Sequence, residues 1–239
     1  MATSKHARFT ILLVTVLACA TGIGAAGGKS GSGPYHPQID PANFSATVDN
    51  PYLPLVPGTS FMLIEKEGRE TRENEVTVTH DTKTIMGVTC VVVHDVVRVK
   101  GVLTEDTYDW YAQDKQGNVW YFGEDTKEFH PHNQVDATGS WEAGVGPNQP
   151  GIIMPGNPVP GAPFRQEYGP GHAEDMGQVV AVNEKVTVPA GTFTDCVRTK
   201  EWSLLESGSE KKWYAKGVGV VRTESTAHEV ATLVSITRP

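Results

Sequence analysis

Trp110-Tyr111-Ala112 returns as Trp213-Tyr214-Ala215, each time followed by a glycine turn. The surroundings return as well. Asn50-Pro51, then Pro57-Gly58-Thr59-Ser60-Phe61, are echoed by Asn157-Pro158 and Pro160-Gly161-Ala162-Pro163-Phe164. Asn74-Glu75-Val76-Thr77-Val78 is echoed by Asn183-Glu184-Lys185-Val186-Thr187-Val188, and a lone cysteine follows in each copy, Cys90 and Cys196. Signals that recur in one order, about 105 residues apart, mark an internal repeat.

Helical periodicity is nearly absent, and strand signals run throughout. They cover Glu75 to Thr79, Val88 to Val99, Thr104 to Gln113, Asn118 to Gly123, Gln178 to Val188, Phe193 to Trp202, Lys211 to Ala215, Gly219 to Thr223 and Val230 to Ile236. Punctuation by Gly, Pro, Asn and Asp makes most connections hairpins. The sequence therefore predicts an all-β, internally duplicated antiparallel β-barrel or β-sandwich. Neither half has a long helix to cover a sheet face, so the halves are expected to share one core.

The domain reading follows. Residues 1–26 are an export segment (or 1–18, as a lipoprotein signal), 27–40 a flexible linker, and 41–239 a single β domain of two repeats. The repeats span about 50–130 and 157–239, joined by the Gly/Pro-rich stretch 131–163, whose apolar members suggest a loop that packs across an opening. Lys5, His6 and Arg8 form a basic start, and Thr10 to Ala18 a short apolar run. That run is well under the roughly 20 residues needed to span a bilayer, and no later stretch is long enough either. Two processing routes fit. Val16-Leu17-Ala18-Cys19 resembles a lipobox that would lipidate Cys19, and cleavage after Ala25-Ala26 would release a secreted protein.

The chain holds 3 cysteines, an odd number that becomes even once Cys19 is a lipid acceptor. A Cys90–Cys196 disulfide would then tie the halves, adding about 4–5 kcal/mol by closing a loop of roughly 100 residues in an oxidising compartment. The competing reading is a pair of separate buried thiols. The net charge is −8 and no basic stripe exists, which argues against nucleic acid and anionic membrane surfaces as partners.

The hairpin around Asp114-Lys115-Gln116-Gly117 is the best candidate for chemistry. Read as an even-length loop, it places Asp109, Tyr111, Trp120 and Glu124 on one face and leaves Tyr121 on the core face. Carboxylates beside aromatics suit a sugar, an amine or a cation. Trp141 and Glu142 would join them from the covering loop. In the second copy, the matching face carries Lys212, Tyr214 and Lys216, which reads as solvated surface. The preferred function is non-enzymatic binding of a small molecule or glycan. The alternatives are a hydrolase or lyase using an Asp109/Glu124 acid–base pair, and a structural or interaction protein of the cell envelope.

Other chemistry has thinner support. His130 and His132 sit at strand spacing, but a metal site needs further ligands. Glu124-Asp125 and Glu174-Asp175 lack a calcium-loop pattern. No nucleophile elbow, phosphate loop or dinucleotide fingerprint is present, so no cofactor is implied.

The chain also resembles a family of exported bacterial β-proteins of unknown function. The resemblance is carried by Asn50-Pro51-Tyr52-Leu53-Pro54-Leu55, Glu105-Asp106-Thr107-Tyr108-Asp109-Trp110-Tyr111-Ala112-Gln113-Asp114, Gly117-Asn118-Val119-Trp120-Tyr121-Phe122-Gly123-Glu124, Gly139-Ser140-Trp141-Glu142-Ala143-Gly144 and Pro150-Gly151-Ile152-Ile153-Met154-Pro155. It implies export and supplies no activity. Trp213-Tyr214-Ala215-Lys216-Gly217-Val218-Gly219-Val220 is similar to the closing hairpin of several exported β-barrel families.

Overall fold

The computed structural model describes residues 35–45 and 47–239; the expected export segment and Cys19 lie outside the described residues. The strands, in chain order, are β1 (Phe44–Ser45), β2 (Ser60–Glu67), β3 (Glu70–Ile85), β4 (Val88–Val99), β5 (Val102–Asp114), β6 (Val119–His130), β7 (Gln134–Asp136) and β8 (Trp141–Glu142). They continue as β9 (Gln149–Met154), β10 (Phe164–Arg165), β11 (Glu167–Tyr168), β12 (Asp175–Val188), β13 (Gly191–Ser203), β14 (Glu210–Ala215), β15 (Gly219–Ser225) and β16 (Val230–Thr237). Two short 3-10 turns, Pro41–Asn43 and Pro131–Asn133, complete the elements. No helix among the described residues is long and apolar enough to cross a membrane.

The strand runs read from sequence fall inside these elements apart from Asn118, which closes the turn before β6, and the long hairpins close tightly. Lys100-Gly101 joins β4 to β5 with both residues at positive φ, the geometry whose twist matches right-twisted strands. Pairing along the sheet follows β10-β12-β13-β14-β15-β16-β2-β3-β4-β5-β6-β9-β11. Chain order is broken where β16, the last strand, lies against β2, from Val230↔Lys66 to Thr237↔Ser60. The two ends of this path then meet in one short segment. Phe164 pairs with Gly177 on β12, and three residues later Glu167 pairs with Pro150 on β9. The sheet is an antiparallel, nearly closed barrel, and closure removes the exposed edges that an open sheet would present.

The inside of the barrel changes character along its length. Val48, Leu53 and Leu55, from the segment before β2, pack with Phe61, Val76, Val78 and Val220 and make one end apolar. Further along the same strands the buried positions turn polar. Phe61 and Leu63 give way to Glu65 on β2, Val78 and Val76 to Asn74 on β3, and Val93 to Asp95 on β4, all buried. Alternation alone would be met by apolar residues at every one of these places. The sequence instead puts two acids and an amide there.

Two expectations change. Cys90 and Cys196 are free, buried thiols and form no disulfide. They lie on β4 and β13, which β14, β15, β16, β2 and β3 separate in the sheet. Equivalent places in two halves of a barrel sit across it, not side by side. The stretch 131–163, read as a loop, carries three short strands: β7 and β8 pair with β6, and β9 continues the sheet beyond it.

Candidate ligand site inside the barrel

The β5–β6 hairpin sets the site, and its turn is odd in length. Asp114 and Asn118 close it through a backbone hydrogen bond (Asp114 N to Asn118 O, 3.0 Å), leaving Lys115, Gln116 and Gly117 between them. The register is therefore Gln113↔Val119 and Tyr111↔Tyr121. Tyr121 shares the face of Tyr111, and the two rings stack at 5.1 Å. Trp120 turns outward, donating its indole N–H to Asp114 Oδ2 at 2.8 Å and meeting Phe44 edge-on.

A bulge then reverses the alternation. Between Tyr121 and Glu124 one extra residue is inserted, so the next pair is Asp109↔Glu124 and both carboxyls enter the barrel. Gly123 makes the bulge with φ +123°, and a Cβ there would collide with the Trp141 carbonyl oxygen. Trp141 reaches this point because β8 pairs Glu124↔Trp141, and its ring meets Tyr121 edge-on at 5.3 Å. Its neighbour Glu142 points away, ion-paired to Lys83 at 2.7 Å, while the Lys83 ammonium also sits over the Trp110 ring. Of the six residues expected at the site, Asp109, Tyr111, Glu124 and Trp141 come together; Trp120 and Glu142 do not.

Few polar atoms here are satisfied. Tyr121 donates its hydroxyl to Asp109 Oδ1 at 2.8 Å. Asp109 Oδ2, Glu124 Oε2 and the Tyr111 hydroxyl have no hydrogen-bond partner among the described residues, although all three side chains are at most 2% exposed. Asp95, held by Asn74 Nδ2 at 2.9 Å, lies close by on β4, and the closing segment brings Gln166 and Glu167 to the same interior. Burial drives all of these acids upward. Asp109 is pushed well above the carboxylate range by burial, against the Tyr121 hydrogen bond and with added repulsion from Glu105. Glu124 is raised by burial and by Asp109 and Glu167, Asp95 by burial and by Glu105 and Asp109, and Glu167 by burial and Asp175.

The second half differs in one group. Lys212, expected on the surface, is 1% exposed and inside the barrel. Its ammonium donates to Glu201 Oε2 and Glu210 Oε1, each at 2.8 Å. Tyr214 donates to Glu201 Oε1 at 3.0 Å, and Thr199 to the same oxygen at 2.7 Å. Burial pushes Glu201 up, but the Lys212 ammonium outweighs it and holds the carboxyl below its usual value. Glu210 stays at about 7, because burial exceeds the attraction of Lys212. Lys in a strand beside Tyr reads as a surface residue unless its acidic partners are known, and Glu201 sits on a different strand. At the polar end, Arg72 reaches Glu65 and Glu67 at 2.6 Å and Glu70 at 2.9 Å.

Tyr121, Asp95, Glu167 and Lys212 belong to this interior and were not singled out from sequence. Only the glycine in Phe122-Gly123-Glu124 hinted at a bulge. No group of three or more His, Cys, Asp or Glu among the described residues is disposed to hold a metal ion. The strand spacing of His130 and His132 is lost, since β6 ends at His130 and His132 lies in the 3-10 turn at φ 68°.

Residues 175–237, from β12 to β16, match the DUF3108-like family model. No curated protein matches the chain. Among solved structures, a Bacteroides fragilis protein described as exported and of YmcC-like fold is similar at 17% identity and a TM-score of 0.49, over 78% of this chain and 99% of that one. A Parabacteroides distasonis protein described as a lipoprotein is similar at 15% identity and a TM-score of 0.43, over 81% of this chain and all (100%) of that one.

Proposed function

We propose that this protein is an exported, non-enzymatic binding protein that takes up a small molecule inside the barrel, next to Asp109, Tyr111, Tyr121, Glu124 and Trp141. One observation carries this reading. Asp109 Oδ2, Glu124 Oε2 and the Tyr111 hydroxyl are buried in one place without hydrogen-bond partners among the described residues. Each such group costs about 1–3 kcal/mol when left unmade, so folds rarely gather several unless something completes them. The aromatic wall of Tyr111, Tyr121 and Trp141 adds apolar surface against which a small molecule can pack. Export, with either a lipid at Cys19 or free release, rests on the N-terminal sequence.

A hydrolase or lyase using Asp109 and Glu124 is the second reading, favoured by their direct opposition across the hairpin and by burial that raises the pKa of both. It requires both carboxyls to exchange protons with a reacting bond, whereas Asp109 already accepts a hydrogen bond from Tyr121.

Thermal melting against a panel of primary amines, amino sugars and monosaccharides tests the binding reading. A ligand that raises the wild-type Tm should act equally on Trp120→Ala and lose its effect on Glu124→Gln. A ligand that acts equally on Glu124→Gln, or a panel that shifts nothing, contradicts a site in the barrel. Turnover of any bound sugar or ester, lost in Asp109→Asn, would favour the enzyme.

A further inference from the structure

Tyr111 and Tyr214 occupy the same place in the two Trp-Tyr-Ala strands, and both are buried inside the barrel. Two residues before each stands the group that faces the interior: Asp109 in one strand, Lys212 in the other. The strand next to each presents an acid nearby, Asp95 on β4 (opposite Thr107) and Glu201 on β13 (opposite Glu210). The Lys212 ammonium is clasped by two carboxylates at 2.8 Å, with Tyr214 donating to one of them. Around Asp109 the acids are present and the ammonium is not. Asp95, Glu124 and Glu167 gather there, and the Lys212 ammonium, which acts on Glu167 through space, gives its hydrogen bonds to Glu201 and Glu210 instead.

Resting on the reading of the barrel interior as a ligand site, we propose that the ligand carries a protonated amine, seated between Asp109 and Glu124 as the Lys212 ammonium is seated between Glu201 and Glu210. A compact ammonium has three donors for the open oxygens Asp109 Oδ2 and Glu124 Oε2 and for the oxygen of the Tyr111 hydroxyl. The stacked faces of Tyr111 and Tyr121 favour a cation and its methylene stem over a neutral polar group. A metal ion is a poorer match, since the acids are not arranged as a ligand set. Without the amine, burial favours the protonated form of these carboxyls; Asp95 and Glu105 face them from β4 and β5 and Glu167 from β11, all opposing ionisation of the pair, while the Tyr121 hydroxyl on β6 favours it. Amine uptake must therefore expel protons.

Isothermal titration calorimetry of the mature protein tests this with putrescine as probe, 1,4-butanediol as its neutral counterpart and calcium chloride as an inorganic cation. The titrations are run at pH 6, 7 and 8, in two buffers of different ionisation enthalpy. The expected result is putrescine binding that tightens with pH and releases protons, at least tenfold weaker in Asp109→Asn and in Glu124→Gln and unchanged in Trp120→Ala. Near-ultraviolet circular dichroism establishes that each variant is folded. Butanediol binding as tightly as putrescine, and lost in Glu124→Gln, would overturn the amine and leave the interior site standing. Calcium binding with the same loss would overturn it in favour of a metal. Putrescine binding that ignores both variants or releases no protons, or no putrescine binding at all, also overturns it.

Discussion

Lys212 donates its ammonium to Glu201 at 2.8 Å inside the barrel, with both side chains almost sealed from solvent at 2% and 4% exposure. A buried charge pair adds little net stability, but removing one partner strands the other. Lys212→Met should therefore destabilise the protein by about 3–5 kcal/mol at pH 7, measured by urea unfolding. At pH 5 the loss should shrink, because Glu201 and Glu210 can then take up protons. An equal loss at both pH values would show that packing, not charge, is what Lys212 supplies.

The unoccupied protein should be more stable in mild acid than in mild base. Burial raises Glu65, Asp175 and Glu210 to about 7, and raises Asp95, Asp109, Glu124 and Glu167 in the same direction. In the unfolded chain such groups titrate near 4. The fold thus holds these protons more tightly than the unfolded chain does, so their contribution is complete below about pH 4 and is lost as pH rises through 7. Glu201 is shifted downward, and its contribution disappears only in stronger acid. The Tm should fall by roughly 5 °C or more between pH 5.5 and pH 8. A flat or rising Tm would mean that the interior acids are ionised and satisfied in the free protein.

Gly123 should tolerate no side chain. Gly123→Ala combines a positive φ with a collision against the Trp141 carbonyl, and the bulge it breaks is what turns Glu124 inward. A loss of about 3 kcal/mol or more is expected in chemical denaturation, with ligand response lost even where the variant folds. Gly101→Ala, at a hairpin turn with open space around it, should cost less.

The sequence and the structure part company at this same hairpin. The repeated Trp-Tyr-Ala stretches and the β-branched runs made an antiparallel barrel legible, because strand periodicity and turn chemistry are local. That Asp109 and Tyr111 share a face was legible for the same reason, whereas Glu124 joins them through two irregularities that cancel. Trp120 was misplaced because face assignment depends on the length of one turn. Asp114 closes a three-residue loop where an even one was assumed, and Gly123 then restores Glu124 to the inner face by a second reversal. Glu142 was misplaced because one residue decides which side of β8 faces inward. Glu167 and Lys212 stayed invisible: each matters through partners on other strands, which only closure of the barrel by the Phe164–Tyr168 segment brings together. β2 was missed as well, since Glu65 breaks the apolar run that would mark a strand.

Cys90 and Cys196 should behave as two protected thiols. Burial raises the Cys90 thiol to about 12, and both sulfurs are hidden. A thiol reagent should label neither residue in the native protein and both after unfolding, with Tm unaffected by reductant. A Tm that drops on reduction, or peptide mapping that finds the two joined, would contradict their separation across the barrel.

Native mass spectrometry of the protein purified from its own host's envelope tests the central claim most directly. The account predicts a small added mass that survives gentle ionisation, leaves on denaturation and is missing from Glu124→Gln prepared in the same way. A bare polypeptide mass for the wild-type protein, or an added mass that Glu124→Gln retains, would contradict a ligand held inside the barrel.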